Sequence, residues 1–399
     1  MGYVAARGGL DAIKAAEDLV RRKRTEGDSA GLGLDQLVDR QRLAVDRVMG
    51  EGGLWDPETA ARALRQAEGD PIEAAHLVRA YRSTLPRVAY TPPTATSQLR
   101  ILRRIVPAFR TPPGPQLLGR TTDYAGRLLD LPGRSDAAGG VVVDDGTDSS
   151  GEGRARATVA AGNGPPPATA ESAVDEEAAR GVERRPPRLY ELLRKMDLVV
   201  ERRTGADADP FDITRTPPRP GAPRSARLAA MARAETGALV QLWYRNILGP
   251  DNHLHEVTLG EVRHGHLPVR VDHPHTGRPV TVGEIRVTEV EAIEDLDGPD
   301  EETDRFDVGY GMVMGHNERK AIAMANLDIA VHRDRGRSPL EQSILQTTDG
   351  LDASGFLEHL KLPHYVTFRS MVERKHARRT ADPVTAGVPD DAEIEVECR

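Results

Sequence analysis

The stretch 306-FDVGYGMVMGHNERKAIAMANLDIAVHR-333 decides the fold class, because its apolar spacing changes partway along. From Phe306 to Gly315 the residues alternate with the period of a half-buried strand. From Asn317 to Arg333 the period lengthens, with Ile322, Ala325 and Ile329 on part of one helix face and Asn317 in the N-cap position. A second alternating run, 279-PVTVGEIRVTEVEAI-293, stands upstream, so strands are expected over about 255–315.

The pattern before that region is helical. In 11-DAIKAAEDLVRRKR-24, Ile13, Ala16, Leu19 and Val20 share a face. In 34-LDQLVDRQRLAVDRVMGEGG-53, Leu34, Leu37, Val38, Val45, Val48 and Met49 form a stripe that the glycines end. Asp56-Pro57 and Asp70-Pro71 read as N-cap and N1 pairs, because proline lacks only an N–H that a first turn leaves unpaired. Prolines 112, 113 and 115 interrupt the pattern before 116-QLLGRTTDYAGRLLDL-131. Helices first and strands later predict an α+β fold. The expected organisation is an N-terminal helical domain over 1–131, a low-complexity disordered insertion over 132–187, a mixed strand and helix domain over 188–375 and a polar tail over 376–399.

Composition narrows the function classes. Apolar residues make up 38% and aromatics 4% of the 399 residues, which fits a chain that is packed only in part. The net charge of −8 argues against a nucleic-acid-binding surface. Lysine occurs only at 14, 23, 195, 320, 361 and 375 among 54 basic residues, so the arginine excess reads as codon bias rather than phosphate recognition. The single cysteine, Cys398, allows no internal disulfide and no cysteine-based zinc site, and a reducing cytosol is the expected compartment. Neither an apolar signal segment nor a run of about 18 apolar residues is present, so no secretion and no membrane span are expected.

Four stretches carry ligand-type residues. In 356-FLEHLKLPHYVTF-368, His359 and His364 lie five positions apart. On one helix they would point about 140° apart, but Pro363 ends the helix, so His364 is expected on a strand-like exit that can fold back towards His359. The pair is either half of a metal shell or a helix-capping ring beside a half-buried one. The run 252-NHLHEVTLGEVRHGHLPVRVDHPHT-276 holds three H-x-H pairs, of which 264/266 and 273/275 straddle Gly265 and Pro274 and read as exposed hairpin ends. Gly309, Gly311 and Gly315 precede a helix N-terminus that could receive an anion, with Arg319 and Lys320 adding charge; the plainer alternative is a strand, a turn and a capped helix. In 212-DITRTPP-218, Asp212, Thr214, Arg215 and Thr216 crowd one loop, as a ligand site or as an Asx-turn with an Arg–Asp pair.

Taken in order, MGYVAARGGLDAIKAA, LAVDRVMGEGGLWD, AHLVRAYRSTLPR, PPGPQLLGRTTDYAGRLLDL, FDITRTPP, VGEIRVTEVEAI, GYGMVMGHNERKAIAMA and GFLEHLKLPHYVTF resemble the PhnI family of the bacterial carbon–phosphorus lyase core complex over about 1–131 and 188–370. The insertion is longer, and the histidine run richer, than the family pattern. The resemblance implies phosphonate catabolism. With PhnG, PhnH and PhnL partners, an alkylphosphonate would be attached to C1′ of the ribose of MgATP, adenine expelled and α-D-ribose 1-methylphosphonate 5-triphosphate formed. It implies purine nucleosidase activity for the subunit alone, a core assembly with PhnG, PhnH and PhnJ, and association with PhnL and PhnK, ATP-binding-cassette-type proteins. It also implies that His359 and His364 match a histidine pair associated with zinc at the boundary with PhnJ. A role mainly as a scaffold of the complex is the alternative.

Adenine departure through an oxocarbenium-like centre calls for a carboxylate near C1′, and Glu284, Glu289 and Asp212 are candidates by context. Arg215, Thr216, Arg319 and Lys320 are candidates for the phosphates. The insertion lacks the apolar content to offset its ordering entropy, so deleting most of 132–187 is expected to leave the amount of soluble, assembled protein unchanged on size-exclusion chromatography. Loss of soluble protein would show that the segment is a docking element.

Overall fold

The computed structural model describes residues 9–28, 30–123, 186–202, 209–248, 258–295, 304–333, 339–362 and 364–381. The chain divides into two compact units, one running from Gly33 to Gly350 and one joining the stretch up to Leu32 with that from Leu351.

The larger unit starts with four helices, α2 (Leu34–Arg40), α3 (Arg42–Gly52), α4 (Pro57–Gln66) and α5 (Pro71–Thr84), which follow α1 (Gly9–Thr25) of the smaller unit. The predicted helix over 34–53 is broken at Gln41, which leaves helical geometry and separates α2 from α3. Asp56 accepts the N–H groups of Glu58 and Thr59 at 3.2 and 3.3 Å, and Asp70 those of Ile72 and Glu73 at 2.8 and 3.3 Å. Both Asp-Pro pairs therefore start helices, as their spacing predicts. The apolar stripes converge on one core containing Leu37, Val45, Val48, Met49, Leu64 and Val78.

The second layer is an antiparallel sheet in the order β1 (Arg100–Ile105), β2 (Thr258–Asp272), β3 (Pro279–Asp295), β4 (Phe306–Met314). Together with the helices it makes the fold α+β. The sheet takes one strand from the region read as wholly helical. In 100-RILRRI-105, Arg103 and Arg104 look like solvated helix charges, yet both are buried, because carboxylates on other elements pair with them. Between β1 and β2 come α6 (Leu189–Lys195), α7 (Arg224–Arg233) and α8 (Thr236–Leu248). Pro186 is buried close against Gly114, and residues 132–185 of the expected insertion lie outside the described residues.

One face of the sheet packs on α9 (Glu318–Arg333), with Val262, Val290, Ala292 and Val313 meeting Met324, Leu327 and Ile329. The helix comes unusually close. A Cβ at Gly309 would lie 1.9 Å from the Ala325 carbonyl oxygen, and one at Gly311 would lie 2.2 Å from that of Ala321. These glycines therefore exist for helix–strand contact. Gly315 turns the chain into the helix with φ +79°, a backbone region that favours glycine. Asn317 caps α9, accepting the Lys320 N–H at 3.2 Å. The strand, turn and capped helix of the plainer reading are what the structure contains.

The opposite face carries a layer of buried ion pairs under α6. Arg104 donates to Glu261 at 2.7 Å, Arg263 pairs with Glu289, and Arg188 donates to Glu291 at 2.7 Å. The first N–H groups of α6, at Leu189 and Tyr190, complete these carboxylates by donating to Glu261 at 2.9 Å and Glu291 at 3.0 Å. Such an arrangement uses donors that a helix start otherwise leaves unpaired.

After α9 come α10 (Pro339–Gln346), α11 (Gly350–Leu360) and α12 (Tyr365–Ala381). His364 was expected on a strand-like exit; instead it opens α12, its carbonyl accepting the Phe368 N–H at 2.9 Å. The tail expected from 376 is helical up to Ala381, and 382–399 lie outside the described residues.

Gly309→Ala and Gly311→Ala are each expected to destabilise the fold by about 2–4 kcal/mol in urea unfolding, since the neighbouring backbone has to move. Gly283→Ala, where nothing lies within 4 Å, is the matched strand control and should change stability by less than about 1 kcal/mol.

Candidate functional site

A small pocket opens where the α9 face of the sheet meets α3. It is lined by Arg42, Leu102, Arg103, Arg120, His264, Arg286 and His316. Arg42 comes from the start of α3, Leu102 and Arg103 from β1, His264 from β2, Arg286 from β3, and His316 from the turn into α9. The rings of His264 and His316 stack at 4.3 Å with 19° between planes.

Hydrogen bonds fix the protonation of both rings. Arg42 Nη1 lies 2.8 Å from His316 Nδ1, and a guanidinium can only donate, so Nδ1 accepts and the ring proton sits on Nε2, 3.5 Å from Glu318. Thr288 spends its hydroxyl proton on the Gly315 carbonyl at 2.7 Å. Its oxygen then accepts from His264 Nδ1 at 3.0 Å. Burial first, and beside it the cationic Arg286 and Arg42, holds the His264 pKa well below the ordinary histidine value, so the ring is neutral.

Three carboxylates hold the arginines in place. Asp46 accepts from Arg286 at 2.9 Å and from the His316 N–H at 2.8 Å. Glu318 accepts from Arg103 Nε at 2.5 Å, and Asp123 from Arg103 Nη2 at 2.6 Å. Burial alone would raise the Glu318 carboxyl, but hydrogen bonds from His316 and Arg103 bring it below the usual carboxylate range.

The carboxylates singled out from sequence are spread along the sheet and beyond it. Glu289 is buried and held by Arg263 and by the Tyr310 hydroxyl at 2.9 Å. Asp212 accepts the Thr214 N–H at 2.9 Å, which is an Asx-turn, and an Arg87 N–H at 2.8 Å. The hydrogen bonds from the Thr214 hydroxyl and from Arg87 take its pKa down to about 2. Glu284 is exposed on β3, 2.9 Å from Arg100 and 3.6 Å from His266.

The phosphate candidates are also dispersed. Arg215 lies over the Tyr90 ring at 5.4 Å, and Thr216 is an exposed residue of the same turn. Arg319 is exposed on the first turn of α9. Lys320 points inward and is fully buried, its ammonium donating to the carbonyls of Ala232 at 2.7 Å and Ala234 at 2.6 Å at the end of α7. Of the H-x-H pairs, 253/255 lies outside the described residues and 273/275 occupies the β2–β3 turn. The pair 264/266 is not a hairpin end. It sits in mid-strand, and Gly265 is there because a Cβ would meet the Arg100 carbonyl oxygen at 2.1 Å.

In the smaller unit, α11 and α12 bring His359 and His364 together. Their Nε2 atoms are 3.2 Å apart, the rings meet edge to face at 4.9 Å, and His359 is half-buried while His364 is exposed. Among the described residues no third His, Cys, Asp or Glu completes a ligand set with them.

Apart from His264, the pocket residues were not singled out from sequence. No short motif connects positions 42, 103, 120, 264, 286 and 316, and the arginines read as codon bias. The nearest signal was the His264–Gly265–His266 spacing, which was assigned to a turn.

Comparison with known proteins covers nearly the whole chain. The family model for the bacterial phosphonate metabolism protein PhnI matches residues 2–382. HtxH of Stutzerimonas stutzeri, assigned provisionally as a C-P lyase subunit protein, is 40% identical over 402 residues, 98% of this chain and 100% of HtxH. The α-D-ribose 1-methylphosphonate 5-triphosphate synthase subunit PhnI of Escherichia coli (strain K12) is 38% identical over 93% of this chain and 96% of its own length. The subunit of the same name from Rhizobium meliloti (strain 1021) is 34% identical over 97% and 98%.

Lys320→Ala is expected to lower unfolding free energy by about 2–4 kcal/mol, through lost packing and two unpaired carbonyls. Burial depresses the Lys320 pKa from 10.5 to about 8, so the folded state binds fewer protons than the unfolded state between those values. The stability this group contributes therefore rises with pH across that window and is lost as pH falls through about 8. The difference in urea midpoint between wild type and Lys320→Ala should accordingly widen from pH 8 to pH 10.

Proposed function

The chain belongs to the PhnI family, and from that membership we propose that it is the subunit through which an alkylphosphonate is joined to C1′ of the ribose of MgATP, with PhnG, PhnH and PhnL-type partners. Adenine leaves and α-D-ribose 1-methylphosphonate 5-triphosphate forms. The observation that carries this reading is end-to-end similarity to two proteins that bear the name of that synthase's subunit.

Three features support it. First, Glu284 is the one of the three candidate carboxylates whose position suits a reacting sugar. Glu289 and Asp212 have their oxygens committed to Arg263, Tyr310, Thr214 and Arg87, whereas Glu284 is exposed at the sheet with Arg100 beside it. A carboxylate there would stabilise positive charge developing at C1′ as adenine departs.

Second, His359 and His364 suit zinc. Zinc–nitrogen bonds of about 2.0–2.1 Å at a tetrahedral angle place two ligand nitrogens ~3.3 Å apart, and the two Nε2 atoms are 3.2 Å apart. Bound there, zinc would act as a Lewis acid towards a phosphorus oxygen. Two ligands leave positions for a partner residue, water or the substrate.

Third, the smaller unit presents apolar surface that suits a partner chain. Its helices α1, α11 and α12 expose Leu10, Ile13, Phe356, Leu357, Val366 and Phe368. Patches of this kind mark protein–protein contacts. Among the described residues no helix is long and apolar enough to cross a membrane.

The test is adenine release from MgATP plus methylphosphonate by the chain assembled with its partners. Glu284→Gln is expected to lower that release about 100-fold or more with assembly intact. His359→Ala with His364→Ala is expected to remove about one zinc per copy, read by mass spectrometry of the native complex, and to abolish growth on a phosphonate as sole phosphorus source. Unchanged adenine release in Glu284→Gln rejects that residue's role, and unchanged metal content rejects the zinc site.

A further inference from the structure

We infer that the acidic segment 390-DDAEIEVE-397 folds back on the basic side of α12 in the same chain and sets its carboxylates against Arg374, Lys375, Arg378 and Arg379. The inference is independent of the proposed function. It concerns a segment beyond the residues that the family model matches, and it holds or fails whether or not the assembled complex releases adenine.

The helix makes the first argument. Over Tyr365–Ala381 it carries five arginine and lysine side chains against one acid, Glu373, and Glu373 is committed to Arg369 at 2.9 Å. Arg374, Lys375, Arg378 and Arg379 are exposed and have no acidic partner among the described residues. At about 100° per residue the four fall within ~140° of one another, on one side of the helix. A basic last turn suits the helix dipole, which accounts for Arg378 and Arg379 but not for Arg374 and Lys375 before it. Like charges four apart repel, as Arg374 does Arg378 and Lys375 does Arg379, so an anion laid along this side would stabilise the helix.

The segment that follows supplies the anion. Residues 382–399 contain six acids and one basic residue, Arg399. Asp391, Glu393, Glu395 and Glu397 alternate with Ala392, Ile394 and Val396, the period that puts all four carboxylates on one side of an extended chain. The spacing also matches. Alternate residues of an extended chain stand ~6.6 Å apart, and helix positions four apart rise ~6.0 Å, so two successive acids meet Arg374 with Arg378, or Lys375 with Arg379.

Reach is the third argument, and it selects this occupant. Asp390 follows Ala381 by nine residues, which extended span up to ~30 Å. The way back from Ala381 to Arg374 is ~10 Å of helix. Pro383, Gly387 and Pro389 lie in between, where a helix stops and a reversal is favoured. A short tether holds the acids at an effective concentration of millimolar order, ahead of free anions more dilute than that.

The test is zero-length carbodiimide cross-linking of the full chain, read by peptide mass spectrometry on an equal mixture of ordinary and 15N-labelled chains. Lys375 is the only lysine of α12. The expected result is an amide between Lys375 and one or more of Asp391, Glu393, Glu395 and Glu397, formed within one chain. Its yield is measured against the link between Lys361 and Glu358, a 2.7 Å pair that sequence neighbours hold together. In ~1 M NaCl, where the Debye length is ~3 Å, the relative yield should fall about fivefold or more. Arg374→Gln with Arg378→Gln should lower it by about the same factor, and the salt series on the wild-type chain reads the same contact should that variant fail to fold. Lys375 left unlinked to the segment, links only between differently labelled chains, links to the carboxylates of 175-DEE-177 instead, or a yield unchanged by salt or in the folded variant would each overturn the inference.

Discussion

The close approach of α9 to β4 is the constraint on which the rest of the larger unit depends. Gly309 and Gly311 let the backbone of the helix reach the strand, at a distance that any side chain on the strand would forbid. With α9 seated there, its apolar face closes the core against Val262, Val290, Ala292 and Val313. The same docking brings the β4–α9 turn over β2 and β3, where the Gly315 carbonyl accepts from Thr288 and the His316 ring stacks on His264. Lys320, one turn into the helix, reaches the last carbonyls of α7 and ties that helix to the same point. The pocket is thus built at the place where helix docking is least tolerant of change.

Charge, rather than apolar surface, fills the other side of the sheet. Arg104 with Glu261 and Arg263 with Glu289 are buried pairs, and half-buried Arg188 covers the buried Glu291. Burial pushes the Glu291 carboxyl up while Arg188 draws it down, and it pushes the Tyr310 hydroxyl well above its ordinary range. Removing one partner of such a pair costs about 3–5 kcal/mol, because the other is left charged and dry. The arginine richness of this chain therefore serves two ends. Most of the buried guanidiniums are structural, and a few, grouped around His264 and His316, line an opening.

The division of the chain into units also divides its chemistry. The larger unit holds the sheet, the exposed Glu284 and the arginine pocket. The smaller unit holds the histidine pair on helices that bury none of their own large apolar residues. A subunit of an assembly has reason to leave such helices uncovered, because their stability then depends on the partner that covers them.

Local pattern made the α+β class, the Asp-Pro helix starts, the N-cap at Asn317 and the long β2–β3–β4 region legible in the sequence, because each depends on residues close together in the chain. The order of family motifs was legible for the same reason. Strand β1 was not: Arg103 and Arg104 enter a buried strand only because Glu318 and Glu261, more than 150 residues away, neutralise them. The mid-strand place of His264 escaped notice because Gly265 signals a turn locally but serves a close strand contact in the fold. His359 and His364 were legible as a pair, while the second helix that orients His364 was not. Sequence by itself thus determined most of the elements and the family. Only the tertiary structure decided which charges are buried and which converge, because a charge is shaped by neighbours that the chain brings together through space.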